Sequence, residues 1–217
     1  MTFNILWPTM RWPTDREIEQ NSIGEHNAIF CEANSDVTDE QWASCDAVIS
    51  VEDISSEFAE RMTNCRIFVT PKVGFDNIDG QAWAERGIPV CNVPDYGTRE
   101  VADHAMALML SLMKGITFHT RELKKSPRDL WRPALSPFGK RLSACTFGIV
   151  GLGRIGTAAA LRARAFDMDV VMYDPYRENG AELSLGIRRA HSLEALFGQC
   201  DVVSIHVPLS NETEKLI

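Results

Sequence analysis

The residues of this chain best suited to chemistry lie in the segment GIVGLGRIG, Gly148–Gly156. Three glycines, Gly151, Gly153 and Gly156, have the spacing GxGxxG. An apolar run precedes them and a helical pattern follows, which is the context a pyrophosphate-binding turn requires. Gly151 permits the tight turn, Gly153 leaves space for phosphate to approach the backbone, and Gly156 lets the helix pack close to the sheet. Phosphate oxygens then meet free N–H groups at the helix start. Arg154 is placed to add charge-assisted hydrogen bonds to that phosphate. Ile155 belongs to the same turn, with its side chain directed to the core.

A second component is Asp174, which closes the run VVMYD and is followed by Pro175. It lies close to the offset of about 20 residues at which an acid takes the ribose hydroxyls of a dinucleotide. A carboxylate there repels a 2′-phosphate and favours NAD over NADP. Arg177 is the nearby feature that could hold such a phosphate. A third component is DVVSIHVPLSNET, Asp201–Thr213. Its residues His206, Val207 and Pro208 fall at the carboxyl end of a strand, where ligands of doubly wound sheets lie. Val207 and Pro208 would wall the adenine or ribose. His206 has no acid at a suitable local spacing, so a structural or cofactor-contact role fits it better than that of a base. Thr213 either contacts a cofactor phosphate or caps a turn.

The elements that must position these residues alternate along the chain. Strands are expected at Asn4–Trp7, Ala28–Cys31, Ala47–Val51, Arg66–Thr70 and Pro89–Asn92, with helices such as Ile54–Met62 and Asn77–Glu85 between them. Such alternation over short loops predicts a parallel sheet covered on both faces. Pro94 and Gly97 mark a boundary within Asn92–Glu100. One long helix is expected over Glu100–His119, with Val101, Ala105, Leu108, Met109, Leu112, Met113 and Ile116 on its apolar face. That face suits core packing, or a homodimer or interdomain contact. Arg121–Lys140 reads as a connector anchored by Trp131. Alternation then resumes with strands at Thr146–Val150, Asp169–Asp174, Gly186–Arg188 and Asp201–Val207, and helices from Ile155 and over His191–Phe197. The expectation is two domains, 1–98 and 99–217, the second showing one mononucleotide half and the start of another, and so incomplete.

Composition narrows the partners. A net charge of -8 disfavours a nucleic-acid backbone, and Lys124, Lys125 and Arg128 make only a short basic patch. The apolar stretch AMALMLSLMKGI is too short and too interrupted to span a bilayer, and the start MTFNILWPTMRWP lacks the form of a signal peptide. Six scattered cysteines, with no CxxC pair, suit reduced thiols in a cytoplasmic protein. The histidines and carboxylates form no metal-ligand cluster by spacing.

Four segments together resemble the D-2-hydroxyacid dehydrogenase family: VGFDNID, GIPVCNVPDYGTREVADHAMALML, GIVGLGRIG with VVMYDPY, and DVVSIHVPLSNET. They run almost continuously from Val73. The wording NVPDYGTREVADHA is similar to the branch that includes C-terminal-binding-protein-like members. The resemblance implies an α/β protein of two doubly wound parallel-sheet domains, a flavodoxin-like substrate domain and a Rossmann NAD domain, with a cleft between them. It implies reversible hydride transfer between NAD and a 2-hydroxy or 2-keto acid. It places the carboxylate of that acid at the backbone of Val73 and Gly74. Lys72 stands where related enzymes often have glycine, and it either adds positive charge at the entrance or is a strand-end lysine. Val101 is implied to abut the nicotinamide, and Thr98 and Arg99 to lie near the hinge. Asp76 and Asp79 read as turn and helix-start residues. Asp103 and His104 are adjacent on a helix and cannot serve one site as a dyad. The family's arginine, glutamate and histidine match no residue here, so no catalytic residue is identified. His26, His104, His119, His191 and His206 are not substitutes.

Overall fold

The computed structural model describes residues 1–9, 16–125 and 136–217, so Trp131 and Arg128 lie outside the described residues. Two compact units are present, Met1–Tyr96 and Gly97–Ile217.

In the first unit the elements are β1 (Asn4–Trp7), α1 (Arg16–Ile23), β2 (Asn27–Phe30), α2 (Asp39–Ser44), β3 (Ala47–Ile49), α3 (Ser56–Ala59), β4 (Ile67–Thr70), α4 (Gly80–Glu85) and β5 (Val90–Asn92). The strands pair in parallel in the order β2-β1-β3-β4-β5, the order of flavodoxin-like sheets. Short apolar strands such as IFVT suit a sheet covered on both faces. Leu6, Val48, Phe68 and Trp42 are fully buried, and the Phe68 and Trp83 rings lie 4.8 Å apart. The helix starts are written in the sequence. Thr38 and Gln41 close a reciprocal capping box on α2, with bonds of 3.2 and 2.9 Å. Asp79 accepts from the Ala82 N–H at 3.0 Å to begin α4. The Asp53 carboxylate takes the Trp83 indole N–H and the Asp79 N–H, each at 2.9 Å, and so fixes α4 against the loop after β3.

In the second unit α5 (Thr98–Met113) and α6 (Ile116–Lys125) precede β6 (Thr146–Val150), α7 (Arg154–Ala165), β7 (Asp169–Tyr173), α8 (Ala181–Leu185), β8 (Arg188–Arg189), α9 (Leu193–Phe197) and β9 (Val202–Ile205). The parallel order is β8-β7-β6-β9, which matches positions 3-2-1-4 of a dinucleotide-binding sheet. Met106, Met109 and Met113 of α5 pack with Phe147, Ile149, Ala160 and Ala163 on one side. Val150, Val171 and Leu196 form a second cluster.

The single helix expected over Glu100–His119 is two helices. Gly115 takes a left-handed φ of +64°, which ends α5 before α6 restarts. The buried stripe also differs from the expected one. Of the expected face, Met109 and Met113 are buried, together with Ala102 and Met106, and Ala105 is half-buried, whereas Val101, Leu108, Leu112 and Ile116 are exposed. Leucine and methionine alternate so closely here that two stripes satisfy the helical period, and only packing against α7 and β6 selects one. Other boundaries move by one to three residues, mainly at strand ends.

Replacing Phe68 by alanine should lower the stability of the first unit by about 3–5 kcal/mol. Urea unfolding followed by tryptophan fluorescence reads this as an earlier midpoint. An unchanged midpoint would contradict the burial of Phe68.

Candidate functional site

The glycine turn joins β6 to α7 at the carboxyl end of the central strand pair. Gly151 adopts a φ of +89°, and its N–H donates to the Tyr173 carbonyl at 2.9 Å. A Cβ at Gly151 would lie 2.6 Å from the His206 carbonyl oxygen, so β9 closes on the turn from the other side. A Cβ at Gly156 would lie 2.0 Å from the Gly151 carbonyl oxygen. The helix therefore starts closer to the turn than any side chain allows. At Gly153 a Cβ would meet nothing within 4 Å, and the residue opens into a cavity of about 440 Å³.

This cavity brings together Gly151, Gly153, Asp174, Pro175, His206, Val207, Pro208 and Thr213. The Asp174 carboxylate accepts from the Leu152 N–H at 2.8 Å and the Tyr176 N–H at 2.9 Å. These two bonds hold it across the mouth of the turn and leave lone pairs for hydroxyl donors. Val207 and Pro208 supply an apolar wall. Arg154 is the first residue of α7 and is exposed beside the turn, not lining the cavity. Ile155 is half-buried behind it, and Gly156 is buried. Val101 lies in a different groove, with Leu108, Leu112, Ile205 and the other side of His206.

Residues that the sequence left uncertain have definite surroundings. The Thr213 hydroxyl donates to the Pro208 carbonyl at 2.5 Å and accepts from the Ser210 N–H at 2.8 Å, so it caps the turn while bordering the cavity. The Arg177 Nε donates to the Leu152 carbonyl at 2.8 Å, which folds this side chain over the glycine turn. His206 donates its backbone N–H to Val150 at 2.8 Å, and its Nε2 lies 2.9 Å from the Ser204 hydroxyl. Burial pushes its pKa below the usual value and favours the neutral ring. Asp103 pairs with Arg162 at 2.5 Å, whereas His104 lines the groove with Val101. These two residues do not share a site. Tyr176, Ser210 and Glu212 also line the cavity, and the Tyr176 hydroxyl donates to Glu212. Sequence reasoning missed this contact because a pairing across 36 positions has no local signal.

In the first unit, Lys72, Val73 and Gly74 follow β4. The Lys72 ammonium donates to the Asn77 side chain at 2.5 Å, and the Val73 carbonyl accepts from the Asn92 side chain at 2.8 Å. The N–H groups of Val73 and Gly74 have no acceptor among the described residues. The Lys72 ammonium lies on the same loop, and the Asp76 Oδ1 stands 3.2 Å from where a Gly74 Cβ would be. No cluster of metal-ligating groups occurs among the described residues, and no helix among them is long and apolar enough to cross a membrane.

A sheet ordered 3-2-1-4, a glycine turn and an acid at the end of the second strand define a dinucleotide-binding domain of the Rossmann class. The chain belongs to the D-isomer specific 2-hydroxyacid dehydrogenase family, whose NAD binding domain matches residues 106–217. It is 36% identical over 181 residues to the glyoxylate reductase of Korarchaeum cryptofilum, covering 82% of this chain and 54% of that protein. The D-lactate dehydrogenase of Aquifex aeolicus, solved with NAD and lactic acid, is similar at a TM-score of 0.77 and 26% identity. That likeness covers 97% of this chain and 62% of the dehydrogenase. The NADPH-dependent glyoxylate/hydroxypyruvate reductase of Sinorhizobium meliloti, solved with NADP and malonate, is similar at a TM-score of 0.79 and 25% identity. It is matched over 98% of this chain and 65% of its own. The chain thus spans about half the length of the curated relative and under two thirds of these two structures.

Because the folded state holds His206 below its ordinary pKa of 6.5, its neutral form is favoured by folding. Below pH 6.5 the unfolded chain takes up a proton that the folded chain resists, so stability falls as the pH drops. An NMR titration of the His206 ring should give a midpoint below 6.5. A midpoint at or above that value would contradict the desolvated site.

Proposed function

We propose that the unit Gly97–Ile217 binds NAD(H), with the pyrophosphate on Gly151, Gly153 and Arg154 and the adenosine ribose on Asp174. The supporting observation is the open Gly153 at the start of α7, facing one cavity with a tethered Asp174 carboxylate. NAD is favoured over NADP because that carboxylate repels a 2′-phosphate, and Arg177 is engaged with the Leu152 carbonyl. Pro175, Val207 and Pro208 pack the adenosine, and His206 is a neutral neighbour of the cofactor. Val101 stands on the nicotinamide side.

The activity to which this site contributes is reversible hydride transfer between NAD(H) and a 2-hydroxy or 2-keto acid. Bound nicotinamide supplies or takes the hydride. The free N–H groups of Val73 and Gly74, with the charge of Lys72, hold the substrate carboxylate. A polarising arginine and a proton-transferring histidine paired with a carboxylate are also needed. No residue of this chain matches them, so these 217 residues alone bind cofactor without turning over substrate.

A second reading, a noncatalytic NAD(H)-sensing interaction protein, is supported by the NVPDYGTREVADHA wording and by the exposed Val101, Leu108 and Leu112 of α5. On either reading those residues are the proposed homodimer contact.

Calorimetric titration tests the site. NADH should bind saturably and NADPH more weakly. Gly153→Asp should weaken NADH binding about 100-fold or more by placing a negative charge against the pyrophosphate. Aspartate is a good N-cap and has room there, so the variant should keep its fold. No NADH binding by the unaltered chain would overturn the cofactor assignment. Turnover of glyoxylate, pyruvate or hydroxypyruvate with NADH would overturn the claim that the chain is catalytically insufficient. NADH-dependent tightening on a protein partner, without turnover, would favour the second reading.

A further inference from the structure

Two thiols that play no part in the proposed cofactor site stand together in the first unit. β3 and β4 pair in parallel with Ala47 opposite Ile67, and the Arg66 N–H donates to the Asp46 carbonyl at 2.9 Å. Cys45 and Cys65 therefore face each other two residues before that register begins. Neighbouring strands lie about 4.8 Å apart, within the roughly 4.4–6.8 Å between Cα atoms that a disulfide spans. Each thiol donates to a backbone carbonyl, Cys45 to Trp42 at 3.3 Å and Cys65 to Ile67 at 3.4 Å.

Their surroundings divide the roles. Cys45 is fully buried at the end of α2, and its Sγ lies 3.3 Å from the Trp42 carbonyl. Cys65 is half-buried at the edge of the same core. The neighbouring Cys45 thiol, with the backbone at Ile67 and Val48, holds the Cys65 thiol below the usual thiol value against the opposing effect of burial. The Cys45 thiol is pushed up by the same proximity and by burial. The Asp46 carboxylate opposes ionisation of both. A thiolate beside a protonated thiol is the arrangement in which one sulfur attacks and the other resolves. Burial pushes the thiols of Cys31, Cys145 and Cys200 up.

We propose that Cys45 and Cys65 form a peroxide-responsive dithiol that closes reversibly to a disulfide. The Cys65 thiolate attacks one peroxide oxygen. An S–O bond forms, the O–O bond breaks, and the departing hydroxide takes a proton to become water. Cys45 then loses its proton and attacks the sulfenic sulfur. The S–S bond forms, the S–O bond breaks, and a second hydroxide leaves and is protonated to water. Two thiols are oxidised and one peroxide is reduced to two waters. The pair lies at the opposite end of β4 from Lys72–Gly74, so closure leaves that loop unobstructed.

The test is exposure of the reduced 217-residue chain to stoichiometric hydrogen peroxide, followed by thiol blocking and peptide mass spectrometry. Arg61 and Arg66 place Cys65 on a tryptic peptide separate from that of Cys45, and fragment sequencing separates Cys45 from Cys31. The expected product is a Cys45–Cys65 link, about 2 Da lighter than the two thiols and reversed by dithiothreitol. Cys65→Ser should abolish the link and leave Cys45 a thiol. In Cys45→Ser, Cys65 should stop at sulfenic acid and advance to sulfinic acid only with a second equivalent of peroxide. The unaltered chain decides the question even if a variant does not fold. Oxidation of the exposed Cys91 while Cys65 stays free, or a link from Cys65 to any other cysteine, would overturn the proposal. In the unaltered chain the alkylation rate of Cys65 should reach half its maximum below pH 9.0, the ordinary thiol value, and a midpoint at or above it would overturn the division of roles.

Discussion

The contact on which the candidate site depends is the approach of α7 to the turn that precedes it. Gly156 faces the Gly151 carbonyl so closely that a Cβ would lie 2.0 Å from it. That approach sets the start of α7, and the position of its first N–H groups follows. The same turn is held on its other sides by the Gly151–Tyr173 hydrogen bond and by the His206 carbonyl at the end of β9. Three parallel strands thus converge on one residue without a side chain. Any methyl group at Gly151 or Gly156 has to move backbone, which a packed interior resists.

Around this turn the chain concentrates positive charge against its own overall balance. The net charge is -8, yet Arg154 and Arg177 flank the glycine turn, and the start of a helix adds its dipole. Asp174 supplies a negative group tethered to the Leu152 N–H, and in the proposed binding mode it meets hydroxyls while the turn meets phosphate. The separation of an anion-accepting end from a hydroxyl-accepting end fits a molecule that is itself divided in this way.

Much of this was legible because it is local. The glycine spacing, the acid after VVMYD and the strand before HVP each carry their signal within a dozen residues. So do the Thr38–Gln41 box and the Asp79 cap. The expected α5 face contains the buried Met109 and Met113 but also the exposed Val101, Leu108 and Leu112, because all of them satisfy the same helical period. Periodicity identifies that a stripe exists, but the choice between two stripes belongs to tertiary packing. The Gly115 break was visible only as a single glycine in an otherwise helical run, a weak stop signal. The Tyr176–Glu212 bond and the Cys45–Cys65 juxtaposition join distant positions, and each becomes legible only once strand order and register are known.

Helices α2, α4 and α9 each begin with a side-chain oxygen that accepts one of their first N–H groups, from Thr38, Asp79 and Ser192. The cap position of helix α7 is Gly153, which has no side chain to offer. An anion seated there would complete the helix as a cap residue completes the others, so ligand and fold are thermodynamically linked. A ligand at 100 times its dissociation constant would add about 2.7 kcal/mol to the folded state it binds. With the proposed dinucleotide as that anion, the melting behaviour of the second unit would become a function of cofactor supply, and its resistance to unfolding or proteolysis would follow the free concentration of the dinucleotide.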